Sequence, residues 1–341
     1  MPPWALTSLM LAATVASMVV SIGVGTIWIS PATVARVLAT HLCGGRTRWV
    51  PDDFIIWQLR APRVLEAVAV GAGLALAGLL SQALIRNPLG DPFIFGLSSG
   101  SSVGAILVVT TTGALGVGML AVPCAAVAGA VLTALLVFCL SRSSSQLVPG
   151  KLVMTGCAVG QFLMALASFL LLHTRRSDAQ QQVLFWLLGS IAGARWPLAI
   201  LCAAVVAAVC IASVMLSRRL NLLVLGDDAA AALGLNTHLA RLVLLGVITV
   251  LTGTAVAVSG TIGFVGLVIP NLARLLVGAD HRRSIPATTL LGALLMVWSD
   301  TAARIVLAPS ELPIGILTAA IGVPVFVGIL GRNRTGTVGL A

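Results

Sequence analysis

Alanine, leucine, valine and isoleucine run along this chain in blocks of about 20 residues, and polar residues collect in the short gaps between the blocks. A hydrocarbon core about 30 Å thick takes roughly 20 apolar residues per helix. On that scale the pattern predicts ten spans, at roughly 4–29, 63–85, 92–112, 117–140, 151–173, 196–217, 240–259, 261–277, 286–306 and 313–331. The eighth is short and broken by Pro270, and little more than Gly113 to Gly116 separates the third from the fourth. The first block has no basic residue before it and exceeds a signal-peptide core in length, so it reads as a retained span. The expected fold class is all-α, a single polytopic transmembrane domain over residues 1–341.

Two polar interruptions stand out. The first, RNPLGDPFIFGLSSGSSVG at 86–104, carries Pro88 and Pro92, which push Asn87 and Asp91 out of the helical region. Asp91 is then placed to cap the next helix, with Pro92 at its first position, where no N–H is needed. Gly96, Gly100 and Gly104 recur every fourth residue and predict a small-residue packing stripe on one helix face. The same stretch contains Gly96-Leu97-Ser98-Ser99-Gly100, the spacing of a nucleophilic serine elbow. That motif needs a preceding strand, a histidine and an acid. No strand precedes Gly96, and His41, His173, His238 and His281 lie at loops or span ends. The second interruption, 218–239, is too polar to span and has alanines behind an Asp227-Asp228 start, which fits short helices lying along the membrane or an ordinary loop.

Composition sharpens the picture. Hydrophobic residues make up 59% of the chain, charged residues 9%, and the mean hydropathy is +1.09. A soluble domain carries roughly 25% charged residues, so lipid is the solvent here. The net charge of +10 comes from arginines set singly or in pairs between apolar blocks, which is a membrane flank and not a nucleic-acid face. With ten spans both termini share one side. If that side is cytoplasmic, eleven basic residues lie inside and nine outside, a weak positive-inside lean. Trp28, Trp57, Trp186, Trp196 and Trp298 fall near the outer ends, as an aromatic belt would. The six cysteines form no CxxC pair and suggest no metal ligands. There is no HExxH, and Gly150-Lys151-Leu152 fails as a P-loop, so ATP, if used, is hydrolysed by another chain. No catalytic, metal or cofactor residue is expected.

Glu66 and Asp300 fall near or within spans, where carboxylates are costly and are functional suspects. Arg63 lies three residues before Glu66, and Arg304 four after Asp300, spacings that let each pair neutralise itself on one helix. Either acid is alternatively a coupling site for a proton- or sodium-driven transporter. Such transporters are built from inverted repeats with broken helices, and LALAG at 74–78 faintly echoes VAVSG at 256–260.

Five segments in order resemble the FecCD family, the permeases of ATP-driven importers for ferric siderophores, haem and cobalamin. They are LRAPRVLEAVAVGAGLALAGLLSQALIRNPLGDPFIFGLSSGSSVGA (59–105), FWLLGSIAGARW (185–196), LGDDAAAALGL (225–235), GTIGFVGLVIPNLARLLVGADHR (260–282) and DTAARIVLAPSELPIGILTAAIGVPVF (300–326). The resemblance implies a ten-helix subunit of the bacterial inner membrane with both termini cytoplasmic. It also implies a second permease subunit, identical or homologous, around a central pathway. A dimer of ATPase subunits, carrying the ATP and magnesium, would dock in the cytoplasm and a substrate-binding protein outside. By resemblance, Arg60, Arg63 and Arg304 match arginines that pair with glutamates of the binding protein, and Asn87 and Leu89 match a cytoplasmic gate. Leu225, Gly226, Asp227, Asp228, Ala229, Ala232, Leu233 and Gly234 match the coupling helices that seat on the ATPase. The family's usual Pro-His is Pro270-Asn271 here, and asparagine carries no charge near neutral pH. The expected cargo is an iron chelate, a ferric siderophore first, with haem or cobalamin as alternatives.

Overall fold

Without water to satisfy them, backbone N–H and C=O groups in an apolar chain bond to each other along helices. The computed structural model describes residues 3–45, 51–112, 120–143, 146–174, 180, 183–184, 186–308 and 310–334, and it is helical apart from a two-residue antiparallel pairing of Arg142–Ser143 with Gln146–Leu147. The helices are α1 (Pro3–Gly23), α2 (Pro31–Leu42), α3 (Pro51–Phe54), α4 (Ala61–Ile85), α5 (Leu97–Thr112), α6 (Ala121–Ser141) and α7 (Pro149–His173). They continue as α8 (Trp196–Met215), α9 (Ser217–Val224), α10 (Asp227–Ala232), α11 (Thr237–Ser259), α12 (Val265–Val277), α13 (His281–Ile305) and α14 (Ile314–Arg334). A π-helical turn, Ile55–Arg60, joins α3 to α4, its hallmark being the Ala61 N–H bonded to Ile56 O five residues back.

Among the described residues, seven stretches are long and apolar enough to cross a membrane, and three shorter apolar runs, Leu97–Thr111, Val265–Val277 and Ile314–Ile329, fall on α5, α12 and α14. Seven of the ten predicted spans thus reach full length among those residues, by length and composition. Local chemistry explains two of the shortenings. The predicted start of the third span at 92 is a separate 3-10 turn, Pro92–Phe95, capped by Asp91 Oδ1 accepting from Phe93 N at 2.8 Å. The eighth begins only at Val265, because Gly260 and Phe264 both take left-handed φ angles, of 67° and 68°.

Two elements in the connection 30–63 escape the twenty-residue scale. Ser30 and Pro31 start α2, with the Ser30 hydroxyl accepting from Thr33 N, and Val34 and Val37 turn its apolar face into the core. The second span also starts earlier than expected, at Pro51.

Burial ranks the spans. In the most apolar 18-residue window of each span, 83% of residues are buried for Pro51–Ile85, 61% for α11 and 56% for α13, against at most 28% for α1, α6, α7 and α8. Helix α4 is therefore the axis, with α8, α11, α12 and α13 packed around it, while α5 lies between α6 and α7. Contact at the axis is backbone to backbone. Gly71 faces the Gly292 carbonyl and Met296 of α13, and Gly78 faces the backbone of Gly266 in α12.

The glycine stripe at 96, 100 and 104 divides into two. Gly100 lies against Gly129 and Thr133 of α6, and Gly104 against Ala125. Gly96 precedes α5, with φ 73°, and lies against Gly156 and Gly160 of α7 instead. The 3-10 turn ends there in a left-handed residue, so the fourth-residue spacing does not continue back along one helix face. Ser98 sits in α5 as a buried residue whose carbonyl accepts from Ser102 Oγ at 3.0 Å. The four histidines sit on α2, α7, α11 and α13.

A methyl group on Gly78 would collide with the Gly266 backbone. Gly78→Ala is expected to cost about 1–3 kcal/mol and to lower the unfolding midpoint in detergent. Gly246→Ala, with open space around it, should be neutral or stabilising by about 0.5–1 kcal/mol. Equal midpoints for the two variants would show that the axis does not depend on this contact.

Candidate functional site

At the end of the bundle where α1 and α13 finish and α4 begins, four charged side chains interlock. Asp300 is fully buried and takes Arg63 Nε at 2.9 Å and Arg304 Nε at 3.2 Å. Arg63 extends the chain through Nη1 to Glu311 at 2.9 Å. Arg60 and Arg304 meanwhile close the end of α1. Arg60 donates to the carbonyls of Ile22 (2.9 Å), Gly23 (3.0 Å) and Ile27 (2.7 Å), and Arg304 to those of Ser21 (3.2 Å) and Val24 (3.3 Å) and to Ser21 Oγ (2.9 Å). The last carbonyls of a helix lack intrahelical donors and carry negative partial charge, so guanidinium groups are suitable partners. This ends α1 at Gly23, short of the expected 29.

The three arginines are only 7–8% exposed. The structure brings them together, as one rim would require, around an open cavity of about 410 Å³ lined also by Ile27, Leu59 and Glu311. Of the two pairs expected on one helix, Asp300–Arg304 forms. Arg63 turns away from Glu66 to Asp300 and Glu311, since those two acids draw it across the helix interface. Glu66 is left 1% exposed, with no hydrogen-bond partner for Oε2. Beside the rim, His41 stacks on Trp57 at 4.2 Å and its Nε2 meets Asp53 at 2.9 Å, while Trp196 Nε1 donates to Trp57 O at 2.8 Å. Ring residues at 41, 57 and 196 give no local sequence signal for such a cluster.

At the opposite end, the 86–91 break is a sequence of small hydrogen-bonded turns. Arg86 ends α4 in the left-handed region at φ 53°. Asn87 Oδ1 accepts from Leu89 N at 2.9 Å and its carbonyl accepts from Gly90 N at 3.0 Å, which leaves Leu89 projecting, 47% exposed. From α12, Asn271 Nδ2 donates to Pro88 O at 2.9 Å, so the position where the family usually has histidine holds the break in place. Burial pushes the Asp91 carboxyl up to about 6, against the opposing pull of the Phe93 N–H.

The 218–239 segment folds as α9 and α10, with corners at Gly226 (φ 111°) and Gly234 (φ 81°). Asp228, Ala229, Ala232, Leu233 and Gly234 form an exposed surface, and Leu225 and Leu233 are 64% and 61% exposed. Asp227 faces inward: Oδ1 meets Arg241 Nη2 of α11 at 2.5 Å, and Oδ2 lies 3.8 Å from Arg86 Nη2. One carboxylate therefore joins α10, α11 and the break after α4. Asp280, which caps α13, is held below the usual carboxylate range by the Asn221 amide and the Arg282 N–H. A cavity of about 500 Å³ lies alongside, walled by Asp91, Phe93, Ser99, Gln161, Met164 and Phe264, which joins the break to α7 and the start of α12.

Asp300 supports two arginines, so Asp300→Asn is expected to cost about 3–5 kcal/mol, seen as a large fall in the unfolding midpoint. Glu66→Gln removes only an unpaired carboxyl and should leave the midpoint unchanged or higher. The reverse order would place the essential buried charge at Glu66.

Comparison with known proteins agrees with this geometry. The FecCD transport family matches residues 13–332. The hemin transport system permease HmuU of Yersinia pestis is 40% identical over 284 residues, which is 82% of this chain and 84% of its own. The vitamin B12 import system permease BtuC of Citrobacter koseri is 36% identical over 319 residues, 90% and 94% of the two chains. A metal-chelate type ABC transporter solved in an inward-facing conformation superposes with a TM-score of 0.84 at 32% identity, over 96% of this chain and 99% of that one. A match along nearly the whole length, on an all-helical bundle, leaves one assignment: the chain belongs to the FecCD transport family.

Proposed function

We propose that the chain is the membrane permease subunit of an ATP-driven importer and moves a bulky metal chelate by alternating access, with a ferric siderophore as the first candidate cargo and haem or cobalamin next. The names of the relatives, hemin, vitamin B12 and metal-chelate transporters, support the class of cargo. In this reading ATP and magnesium are held by a separate pair of ATPase subunits, a binding protein delivers the chelate, and a second permease subunit completes the pathway in the bacterial inner membrane.

The observation that carries the mechanism is the position of Asp227. The exposed surface of α10 is the part a cytoplasmic ATPase would push. Asp227 is bonded to Arg241 of α11 and lies 3.8 Å from Arg86, the residue before Asn87 and Leu89. Displacing α10 therefore pulls on the gate and on a central helix together. A permease needs two packings separated by only a few kcal/mol, and this single shared carboxylate is a contact that one packing keeps and the other releases.

Burial also sharpens the orientation. Arg60, Arg63 and Arg304 are inside the bundle at one end and Arg241 at the other, so none acts as a loop charge. Setting these aside leaves ten basic residues at the gate end against six at the rim, which supports the gate end and both termini as cytoplasmic. The rim then faces the binding protein. Its arginines already hold α1 and Asp300, so docking rests on the open cavity around them and on the apolar residues at its edge, Leu59 being 53% exposed.

The test is uptake into proteoliposomes containing the permease, its ATPase and its binding protein. Asp227→Asn is expected to raise the ATP hydrolysed per chelate delivered by tenfold or more; an unchanged ratio would remove Asp227 from coupling. Uptake that follows a proton or sodium gradient and ignores the ATPase would overturn the reading and return attention to Glu66. Leu59→Glu should weaken capture of the loaded binding protein about tenfold, measured by surface immobilisation, and unaltered capture would move the docking face elsewhere. Ranking uptake of a ferric siderophore, haem and cobalamin then names the cargo.

A further inference from the structure

Beside the gate, between the end of α4 and the α12–α13 turn, lies a cavity of about 290 Å³ walled by Gln82, Arg86, Asn87, Arg274, Ala279 and His281. Its charge does not balance. Arg274 uses one nitrogen, Nη2, on Gln82 Oε1 and on Asn271 Oδ1 (2.7 Å), both neutral amides. Among the described residues it forms no ion pair. Arg86 has only a loose share of Asp227, at 3.8 Å, because Arg241 holds the same carboxylate closely. The cavity wall itself thus holds two guanidinium groups, Arg86 and Arg274, and no carboxylate.

The nearby Asp280 does not line the cavity, and its Oδ1 is taken by Asn221 Nδ2 at 2.8 Å and by Arg282 N at 3.0 Å. That donation fixes the Asn221 amide, so its Oδ1 is the acceptor for His281 N (3.0 Å) and His281 Nδ1 (2.7 Å). His281 therefore carries a proton on Nδ1, and its Nε2 is the ring nitrogen left over.

Guanidinium groups with open N–H edges match the geometry of phosphate oxygens. The depth is also suitable. Helix α4 ends at Ile85, α12 at Val277, and α13 begins at His281, so the cavity lies where spans meet the headgroup layer. Leu275 and Leu276, next to Arg274, are 47% and 49% exposed and offer apolar surface on the same flank. Basic pockets between helices on a cytoplasmic face are sites for anionic headgroups. We propose that this cavity binds a phosphate-type oxyanion, supplied by an anionic lipid headgroup or by free phosphate, and that Arg274 and Arg86 hold it. The bound anion supplies the negative charge that the cavity wall lacks.

The experiment uses the full chain in mild detergent and follows the tryptophan-fluorescence unfolding midpoint. Inorganic phosphate is titrated against chloride at equal ionic strength, and short-chain phosphatidylglycerol against short-chain phosphatidylcholine. A saturable rise of several degrees with phosphatidylglycerol alone supports the site with lipid as its source; a rise with inorganic phosphate supports it with a soluble anion. Ala279→Glu, at an exposed position on the cavity wall, should weaken the apparent affinity at least tenfold, Ala279→Lys should keep it, and Arg274→Gln should abolish the response. No saturable response to either ligand, or a response undiminished in Ala279→Glu, overturns the proposal.

Discussion

Helix α4 can occupy the centre of the bundle because it presents hydrogen atoms, not side chains, where α12 and α13 cross it. At Gly71 and Gly78 the neighbouring backbones approach so closely that no Cβ fits. Lipid tails are as apolar as leucine, so nothing resembling a water-driven collapse holds membrane helices together; close packing of small residues supplies much of the attraction instead. With α4 in place, α8, α11, α12 and α13 have a common surface to pack on. The rim at its start and the proposed gate at its end are then the two ends of one rod.

Charge is handled differently at those two ends. At the rim, Asp300 is buried but doubly paired, and two arginines satisfy the free carbonyls of α1. These ion pairs and carbonyl contacts join α1, α4 and α13, which makes the rim a clasp. At the gate end, Asp227 serves both Arg86 and Arg241, and Arg274 relies on neutral amides. Contacts of that kind are easier to exchange, and an excess of cations in a partly buried setting invites an outside anion. The clasped end suits the capture of a partner, and the exchangeable end suits movement.

Much of this was legible in the residues. Twenty-residue apolar blocks marked the helices, Pro88, Asp91 and Pro92 marked the break, and Asp227-Asp228 behind Gly226 marked the short helix α10. The errors have physical causes. The α2 helix was missed because its 12 residues are too few for a membrane-scale window, although Ser30-Pro31 was a usable start signal. Arg63 was assigned to Glu66 by spacing along one helix, whereas its partners, Asp300 and Glu311, lie more than two hundred residues away, a relation no local pattern encodes. Gly96 fitted the fourth-residue rule numerically, but the 3-10 turn before α5 rotates it towards α7. The arginines that the resemblance assigns to docking are also bonded within the bundle, where span ends leave carbonyls that need donors.

The π turn at Ile55–Arg60 gives the rim one more property. Each residue of an α-helix advances the direction of its side chain by about 100°, and a wider turn accommodates an added residue without breaking the rod. Within it, Trp57 faces His41 and Trp196; at its end, Arg60 faces the end of α1, and three residues on Arg63 faces α13. The turn works as a phase adjuster between an outer collar and the central helix. A length change of one residue there would be felt as a rotation of the collar about the helix axis, so the number of residues between Trp57 and Arg63 constrains this rim as tightly as their identities do.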